Sequence, residues 1–477
     1  MKIEFGPWTP DQPAFANPGC TEAKNVLPFQ SSYGPFKTLR AFSGALTEPC
    51  LGAFWMPDLD SVANNFAGDQ SKLYKYANLA ATWSDVSRTT SYAAAIAWEF
   101  EKFGNRCIAV DIGTTPQYYD LGTSAFFNDL GGSPPKAKHV ATVRDFLVLG
   151  NLESLPDTVR WSAFNNSDDW TASLATQSGS QELPGRGGAI QRIVPGEYGV
   201  IFQENSIWRM DYIGPPVVWQ FDEVERGRGT PAPRSVVWFG SQVFYYDDAG
   251  FFAFDGVTST PIGNNRVDNW FKNNSASLDD MVGAVDRRNR VVLWAFKSSS
   301  AQSYNDRIIM YNFATDRWAW SEITTQFLSE RISGQLTLDE LDTPLPGGID
   351  VDSIPMDSPF GVPDLSIQAF DSSNRAGLFD GSAMSATIES REINSDEHSF
   401  ETRTVRPLVD QGDVTVQIGY RNAQNASATY TNATSLNRLG EAPRRLNARF
   451  QRYRLNITNQ FNQAQGVEIR GRQAGRR

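Results

Sequence analysis

The amino-acid sequence predicts an all-β fold, and three observations lead to this prediction. Aromatic residues make up 12% of the 477 residues, and aromatic and β-branched side chains favour the pleated, half-buried surface of a sheet. Pairs of short aromatic strands recur along most of the chain, and runs of alternating apolar and polar residues follow near its C-terminal end. A chain of this length is expected to divide into two or three domains.

The recurring element is a short strand rich in aromatic residues, such as LYKY at 73–76, preceded in most repeats by a second β-rich run. A period of about 40 to 50 residues is typical of a four-stranded propeller blade. We therefore expect a β-propeller of about six blades over residues 42–330, with the aromatic side chains between neighbouring blades. The repeats begin at Tyr74, Tyr118, Trp161, Trp208, Phe252 and Met310, which are 44, 43, 47, 44 and 58 residues apart.

Residues 1–41 are predicted to form an extended N-terminal arm. This segment contains several prolines and no sustained strand or helix period, yet it holds more aromatic residues than a disordered tail would. Aromatic side chains spread along an irregular segment favour an arm that is anchored to a surface. The candidate anchors are Trp8, Phe15, Phe29, Tyr33 and Phe36.

Charge is distributed unevenly over the C-terminal part of the chain. Residues 331–400 hold thirteen acidic residues and three arginines, a balance of −10 in a protein of net charge −11. Residues 331–384 are interpreted as an acidic Pro/Gly-rich connection, and six of its carboxylates are candidates for the lining of a DNA channel. They would repel DNA from the wall, although a solvated outer loop explains them equally well. The six are Asp339, Glu340, Asp342, Asp350, Asp352 and Asp357.

Residues 385–477 contain five alternating runs, which predict a β-sandwich-like C-terminal domain. Its end is basic, since the last 37 residues hold nine arginines and two glutamates.

Residue chemistry argues against a catalytic, cofactor or metal site. The two histidines, His139 and His398, have no partner at ligand spacing, and neither a Walker A motif nor a GxSxG motif occurs. Cys20, Cys50 and Cys107 are widely separated, so buried free thiols are expected.

An acidic chain is a poor general binder of nucleic acid. We find no signal peptide and no apolar run of transmembrane length, and we expect no stable membrane insertion.

The whole chain resembles a family of structural proteins from short-tailed bacteriophages, the tail nozzle or tail tubular proteins, also described as packaged-DNA stabilization proteins. The resemblance is carried by PWTPDQPAFANPGCTEAKNVLPFQSSYGPFKTL (7–39), NFAGDQSKLYKYANLAATWSDVSR (65–88), WEFEKFGNRCIAVD (98–111), FLVLGN (146–151), VRWSAFNNSDDWTAS (159–173) and GVEIRGRQAGRR (466–477). The acidic segment 338–364 matches none of its motifs.

The resemblance implies a virion structural protein without enzymatic activity or cofactor. It implies a ring, usually a homohexamer, around the path of the DNA, with a β-propeller at the periphery of each subunit and residues 385–477 in the ring or platform. The partners implied are other copies of the chain, the adaptor and portal-side proteins, tail fibre or spike proteins, and the genomic DNA that passes during ejection. Assembly would take place in the bacterial host cytoplasm.

Two other functions fit a propeller. One is a glycan-binding or glycan-cleaving protein, and the other is an interaction propeller of the kelch type, indicated by YNFATDRW (311–318). An enzyme would need a convergent charged pocket, which the strand pattern does not show. Paired carboxylates in the central pocket of a propeller are nevertheless compatible with this sequence.

Overall fold

A computed structural model of the chain describes residues 1–59, 61–78, 80–90, 92–301, 303–332, 365–394 and 398–476. The all-β expectation is confirmed, since strands make up 57% of the described residues and helices 2%. The N-terminal residues form five short strands that belong to different sheets. They are β1 (Lys2–Glu4), β2 (Glu22–Lys24), β3 (Val26–Pro28), β4 (Tyr33–Pro35) and β5 (Arg40–Ala45).

Four antiparallel four-stranded sheets follow, each a simple meander, and we number them units one to four. Unit one contains β6 (Gly52–Pro57), β7 (Ala63–Gly68), β8 (Leu73–Ala77) and β9 (Thr82–Asp85). Unit two contains β10 (Glu99–Phe103), β11 (Arg106–Asp111), β12 (Thr114–Asp120) and β13 (Asn128–Asp129). Unit three contains β14 (Ala137–Val143), β15 (Phe146–Leu152), β16 (Leu155–Trp161) and β17 (Gly179–Glu182). Unit four contains β18 (Ile190–Val194), β19 (Gly199–Gln203), β20 (Ser206–Gly214) and β21 (Val218–Arg226).

Units five and six continue the pattern, with a short 3-10 helix (Pro233–Ser235) before unit five and α1 (Asp268–Asn274) before unit six. Unit five contains β22 (Val237–Phe239), β23 (Gln242–Asp247), β24 (Gly250–Phe254) and β25 (Ser259–Pro261). Unit six contains β26 (Ser275–Asp286), β27 (Val291–Ser298), β28 (Asn305–Asn312) and β29 (Arg317–Thr325). No helix among the described residues is long and apolar enough to cross a membrane.

Unit seven is assembled from two distant parts of the chain. Its first three strands are β30 (Leu328–Ile332), β31 (Leu365–Phe370) and β32 (Arg375–Leu378), and its fourth is the N-terminal strand β5. The pairing is antiparallel, with Ala41 opposite Gly377. The described residues thus contain seven such units, one more than the spacing predicts. Two strands lie within 331–384, the interval that the sequence pattern assigns to a connection.

Neighbouring units pack through aromatic side chains, as expected for blades that bury their faces against one another. Phe66 of unit one lies 5.5 Å from Tyr119 of unit two, and Phe202 of unit four lies 4.9 Å from Tyr245 of unit five (ring centroids). Unit seven packs against unit one, since Trp83 of β9 lies 5.8 Å from Phe370 of β31. These separations suit tilted or edge-to-face aromatic contacts. The separate sheets are consistent with propeller blades.

The C-terminal strands form two facing layers. They are β33 (Ala386–Glu389), β34 (Ile393–Asn394), β35 (His398–Val409), β36 (Asp413–Arg421), β37 (Thr429–Tyr430), β38 (Thr434–Ser435), β39 (Ala442–Ala448), β40 (Phe450–Thr458) and β41 (Ala464–Arg476). One layer has the order β3-β4-β41-β35-β39, with β1 also on β41. The other continues from unit six through β2 in the order β29-β2-β33-β40-β36-β37. The layers meet where Thr402 lies 2.8 Å from the Tyr453 hydroxyl, and we call them together the C-terminal sandwich.

Candidate functional sites

The first strands of all seven units line one cavity of about 200 Å³, which we call the central pocket. Each of these first strands contributes at least one residue to the lining. Representative lining residues are Trp55 of β6, Glu99 and Glu101 of β10, Val140 of β14, Arg192 of β18, Trp238 of β22, Val282 of β26 and Glu330 of β30, joined by Arg234 of the 3-10 helix and by Arg287.

Glu99 is the most connected charged group of the central pocket. Its Oε2 lies 2.9 Å from His139 Nδ1 and accepts a hydrogen bond from Arg192 at 2.6 Å, while its Oε1 accepts the Val140 N–H at 3.1 Å. Burial would raise the pKa of Glu99, but Arg192 and His139 outweigh it and hold this pKa below its usual value. Glu99 is therefore an ionised, almost fully buried carboxylate.

Glu101, two residues along β10, has the opposite character. Burial is the main cause that raises its pKa to about 8, and the charge of Glu99 adds to the effect. It forms no ion pair within 4 Å among the described residues. At neutral pH Glu101 is thus a protonated carboxylic acid beside an ionised one, an arrangement that can donate and accept hydrogen bonds from one strand face.

Two arginines of the pocket have donors that no protein acceptor uses. Arg234 donates to the Leu51 carbonyl at 2.6 Å and lies 5.2 Å from the Phe327 ring centre, but no described carboxylate lies within 4 Å of it. Burial, and next to it the charge of Arg192, lower the pKa of Arg234. The Nε of Arg192 is buried without a partner, as is His139 Nε2. A buried guanidinium donor without an acceptor, such as the Nε of Arg192, is costly.

The sequence pattern predicts no charged pocket, so it misses the charged residues that meet in the central pocket. Its residues come from different units and share no spacing. The one available signal is WEFEKF, in which glutamates alternate with apolar residues on a strand. His139 has no partner at ligand spacing in the sequence, and the fold brings it to Glu99, 40 residues away. Among the described residues, no group of three or more His, Cys, Asp and Glu could hold a metal ion.

The predicted arm anchors lie in different environments. Trp8 is 1% exposed and packs edge-on against Trp270 at 4.9 Å. Tyr33 is buried under Arg317, and Phe36 packs at 5.1 Å against Phe379. Phe29 is partly buried, whereas Phe15 is 63% exposed. Three of the five anchors are therefore buried within their own chain, and of the five Phe15 is the most available to a neighbour.

The predicted channel-lining carboxylates lie outside the described residues: Asp339, Glu340, Asp342, Asp350, Asp352 and Asp357. The C-terminal sandwich instead shows a second candidate site on the outer side of β35, β39 and β41. We call it the basic face and define it by five exposed arginines, Arg403, Arg406, Arg445, Arg470 and Arg472.

Three glutamates lie among the arginines of the basic face. Arg472 pairs with Glu401 at 2.6 Å and Arg470 with Glu441 at 2.8 Å, yet these two arginine side chains remain 67% and 61% exposed. The third glutamate, Glu468, lies 3.8 Å from Arg406. Five arginines against three glutamates leave an excess of positive charge on a protein of net charge −11. Such a surface favours an acidic partner surface.

The buried thiols expected from the sequence are present, since Cys20, Cys50 and Cys107 are all free and buried. Burial raises the pKa of Cys20 to about 12. A thiol held protonated in this way is a poor nucleophile.

No protein family model and no curated protein sequence matches the chain. Three solved structures are similar to parts of it. A chain of a mitotic checkpoint complex has a TM-score of 0.40 and 9% identity, covering 74% of this chain and 95% of its own length. The computationally designed Ika8 protein has a TM-score of 0.36 and 10% identity, covering 72% and 99%. A functionally unknown protein from Desulfotomaculum acetoxidans has a TM-score of 0.37 and 11% identity, covering 63% and 98%. TM-scores of this size establish neither a shared fold nor a shared function.

Proposed function

We propose that the seven units form a closed seven-bladed β-propeller. Their first strands line one pocket, and the last unit packs against the first. Strand β5, which precedes unit one in the sequence, completes unit seven, so the ring is closed by a pairing between the first and the last strand of the seven units. Full closure leaves no blade without a neighbour on either side.

We further propose that the chain is a virion structural protein that forms the ring-shaped tail nozzle of a short-tailed phage. The observation that carries the proposal is the basic face, a positively charged surface on an acidic protein. A closed ring needs two different, complementary patches on each subunit, and a basic patch on a chain of net charge −11 supplies such a pair. The sequence resemblance supports the same role and supplies the ring number of six.

In this role the chain guides or closes the DNA exit channel and has no catalytic turnover. Its partners are other copies of itself, adaptor or portal-side proteins, and tail fibre or spike proteins, with genomic DNA in transient passage. It belongs to the virion tail after assembly in the host cytoplasm and does not insert stably into a membrane. The acidic segment 338–364 remains a candidate for the channel wall.

Charge reversal on the basic face tests the ring. The variant R470E/R472E is compared with the wild-type chain and with Arg226→Glu, whose side chain is 85% exposed in unit four. Light scattering after size-exclusion chromatography over a range of concentrations, together with electron microscopy, measures the particle size. We expect rings from the wild type and from the control, and monomers from the double variant. A wild-type chain that stays monomeric at every concentration, or a double variant that assembles normally, contradicts the proposal.

The glycan-cleaving alternative is tested on the same preparations. Incubation with bacterial surface polysaccharides and analysis of reducing ends measures turnover. Turnover that is lost in Glu99→Gln would show an enzyme and would overturn the structural assignment.

A further inference from the structure

Arg234 is a partly buried cation that has no carboxylate within 4 Å among the described residues. It donates one hydrogen bond to a backbone carbonyl, that of Leu51, and its guanidinium lies at the wall of the central pocket. A guanidinium at the wall of a cavity is normally paired with a carboxylate or phosphate, because donors that lose part of their hydration need acceptors in its place. The group that would pair with Arg234 is therefore missing from this part of the protein.

The charge of the pocket favours an anion. Three arginines line it, Arg192, Arg234 and Arg287, against the carboxylates of Glu99, Glu101 and Glu330. Arg192 uses one donor for Glu99 and leaves its buried Nε free, whereas Arg287 pairs with Glu330 at 3.1 Å. With Glu101 protonated, three cations face two ionised carboxylates, so one positive charge remains. A monoanion restores neutrality, whereas a dianion would add repulsion from Glu99.

The walls and size of the pocket indicate an organic ligand. Trp55 and Trp238 line it and are partly exposed, so their rings are available to a flat apolar face. Glu99 and Glu101 offer acceptors and a donor within the same cavity. Apolar and aromatic walls with a few convergent polar groups are typical of small-molecule sites. The cavity has a volume of about 200 Å³. If each non-hydrogen atom of a ligand occupies about the volume of one water-sized sphere, the cavity holds roughly a dozen of them.

We propose that the central pocket binds a carboxylated sugar of monosaccharide size, with its carboxylate on Arg234 and the free donor of Arg192. The ring hydroxyls then meet Glu99 and Glu101, and the apolar face of the ring packs on Trp55 or Trp238. Arg and carboxylate form paired, charge-assisted hydrogen bonds, which set the orientation of the ligand. The inference goes beyond the proposed structural role and does not depend on ring formation.

Titration calorimetry with D-glucuronate tests the site on the full-length wild-type chain. D-glucose serves as the neutral counterpart and inorganic sulfate as an anion without a ring. We expect saturable binding of one glucuronate per chain, and binding at least tenfold weaker for glucose and for sulfate. If glucose binds as tightly as glucuronate, the arginines do not recognise the carboxylate. If sulfate binds as tightly, the sugar ring contributes nothing, and either result overturns the proposal. Absence of glucuronate binding overturns it as well.

Two matched variants locate the site. Arg234→Gln is expected to weaken glucuronate binding about tenfold or more, equivalent to about 1.4 kcal/mol or more, and to leave particle size unchanged. Arg226→Gln, at the exposed end of β21 in unit four, is expected to bind like the wild type. Unchanged affinity in folded Arg234→Gln contradicts the site. If that variant does not fold, the wild-type comparison of glucuronate with glucose and sulfate still decides.

Discussion

Lys24 of β2 lies opposite Trp320 of β29 in a parallel pairing, with its Nζ 5.2 Å from the centre of the indole ring. This pairing is the place where unit six and the C-terminal sandwich become one sheet. The next residue, Asn25, strengthens the junction, since its N–H donates to the Trp320 carbonyl at 2.7 Å. An N-terminal segment therefore joins unit six to the C-terminal sandwich, although both are distant from it in the sequence.

Asn25→Ala is expected to destabilise the protein by about 2 to 4 kcal/mol. The Oδ1 of Asn25 accepts hydrogen bonds from the Ser321 hydroxyl and the Glu322 N–H, and its Nδ2 donates to the Ser385 carbonyl at 2.9 Å. Buried partners left unsatisfied cost about 1 to 3 kcal/mol each, with part recovered by water. Its φ of 58° also favours Asn over Ala. Denaturant unfolding measures the change, and Asn289→Ala, in an exposed turn, is the control.

Trp8→Ala and Phe15→Ala are expected to differ strongly in their effect on stability. Removing the buried Trp8 ring should cost about 3 to 5 kcal/mol in the free energy of unfolding. Phe15 is 63% exposed, so its removal should change stability by at most about 0.5 kcal/mol. Thermal and denaturant unfolding measure both. A small effect for Trp8→Ala would show that the arm is only loosely attached and is free to contact a neighbouring subunit.

The sequence indicated most of the units because one strand of each carries the aromatic residues. The six repeat positions, from Tyr74 to Met310, all fall on the third strand of a unit. The spacing of 58 residues before Met310 is accounted for by α1 and the twelve-residue strand β26. The seventh unit gives no such signal, because its third strand reads RAGL and its fourth strand, β5, lies before unit one in the sequence.

The central pocket and the role of the arm could not be predicted in the same way. Glu99, Arg192 and Arg234 are brought together only when the units surround a common cavity, and no local spacing encodes that. The sequence predicts an extended arm that is anchored by aromatic residues. That its strands enter three sheets depends on long-range pairing, such as β2 with β33, which a single sequence does not specify.

Phe42→Ala is expected to loosen the seam between unit seven and unit one. The Phe42 ring lies 5.5 Å from the Tyr76 ring, and the guanidinium of Arg331 lies 4.0 Å from its centre. Removing the ring exposes Arg331 to a cavity and withdraws a cation–π contact. Hydrogen exchange should increase in β5, β8 and β9 and remain unchanged in units three and four. Leu155→Ala, on an exposed strand end of unit three, is the control.

Uniform acceleration of exchange over all units in Phe42→Ala would contradict a local seam. It would show that the units unfold together, with β5 contributing no separate fastening.

Glu101→Gln is expected to stabilise the protein at alkaline pH and to change little at acidic pH. The folded-state pKa of Glu101 is raised from 4.5 to about 8, so the folded protein favours the protonated form. The stability that protonated Glu101 gives the folded state is therefore fully present below about pH 4.5 and is lost as the pH rises through about 8. The charged groups that act on it are Glu99 and Arg192, and the buried thiol of Cys107 is also affected by its charge.

Gln mimics the protonated carboxyl at every pH, so the gain of Glu101→Gln over the wild type should grow between pH 5 and pH 9. We expect a difference of about 2 kcal/mol at pH 9, since each unit of pKa shift corresponds to about 1.4 kcal/mol and solvent screens part of it. Urea unfolding at both pH values measures the difference, with Glu153→Gln, an exposed partner of Lys136, as the control. A gain that is independent of pH would show that Glu101 is ionised in the folded protein, and the excess positive charge of the central pocket would then be cancelled.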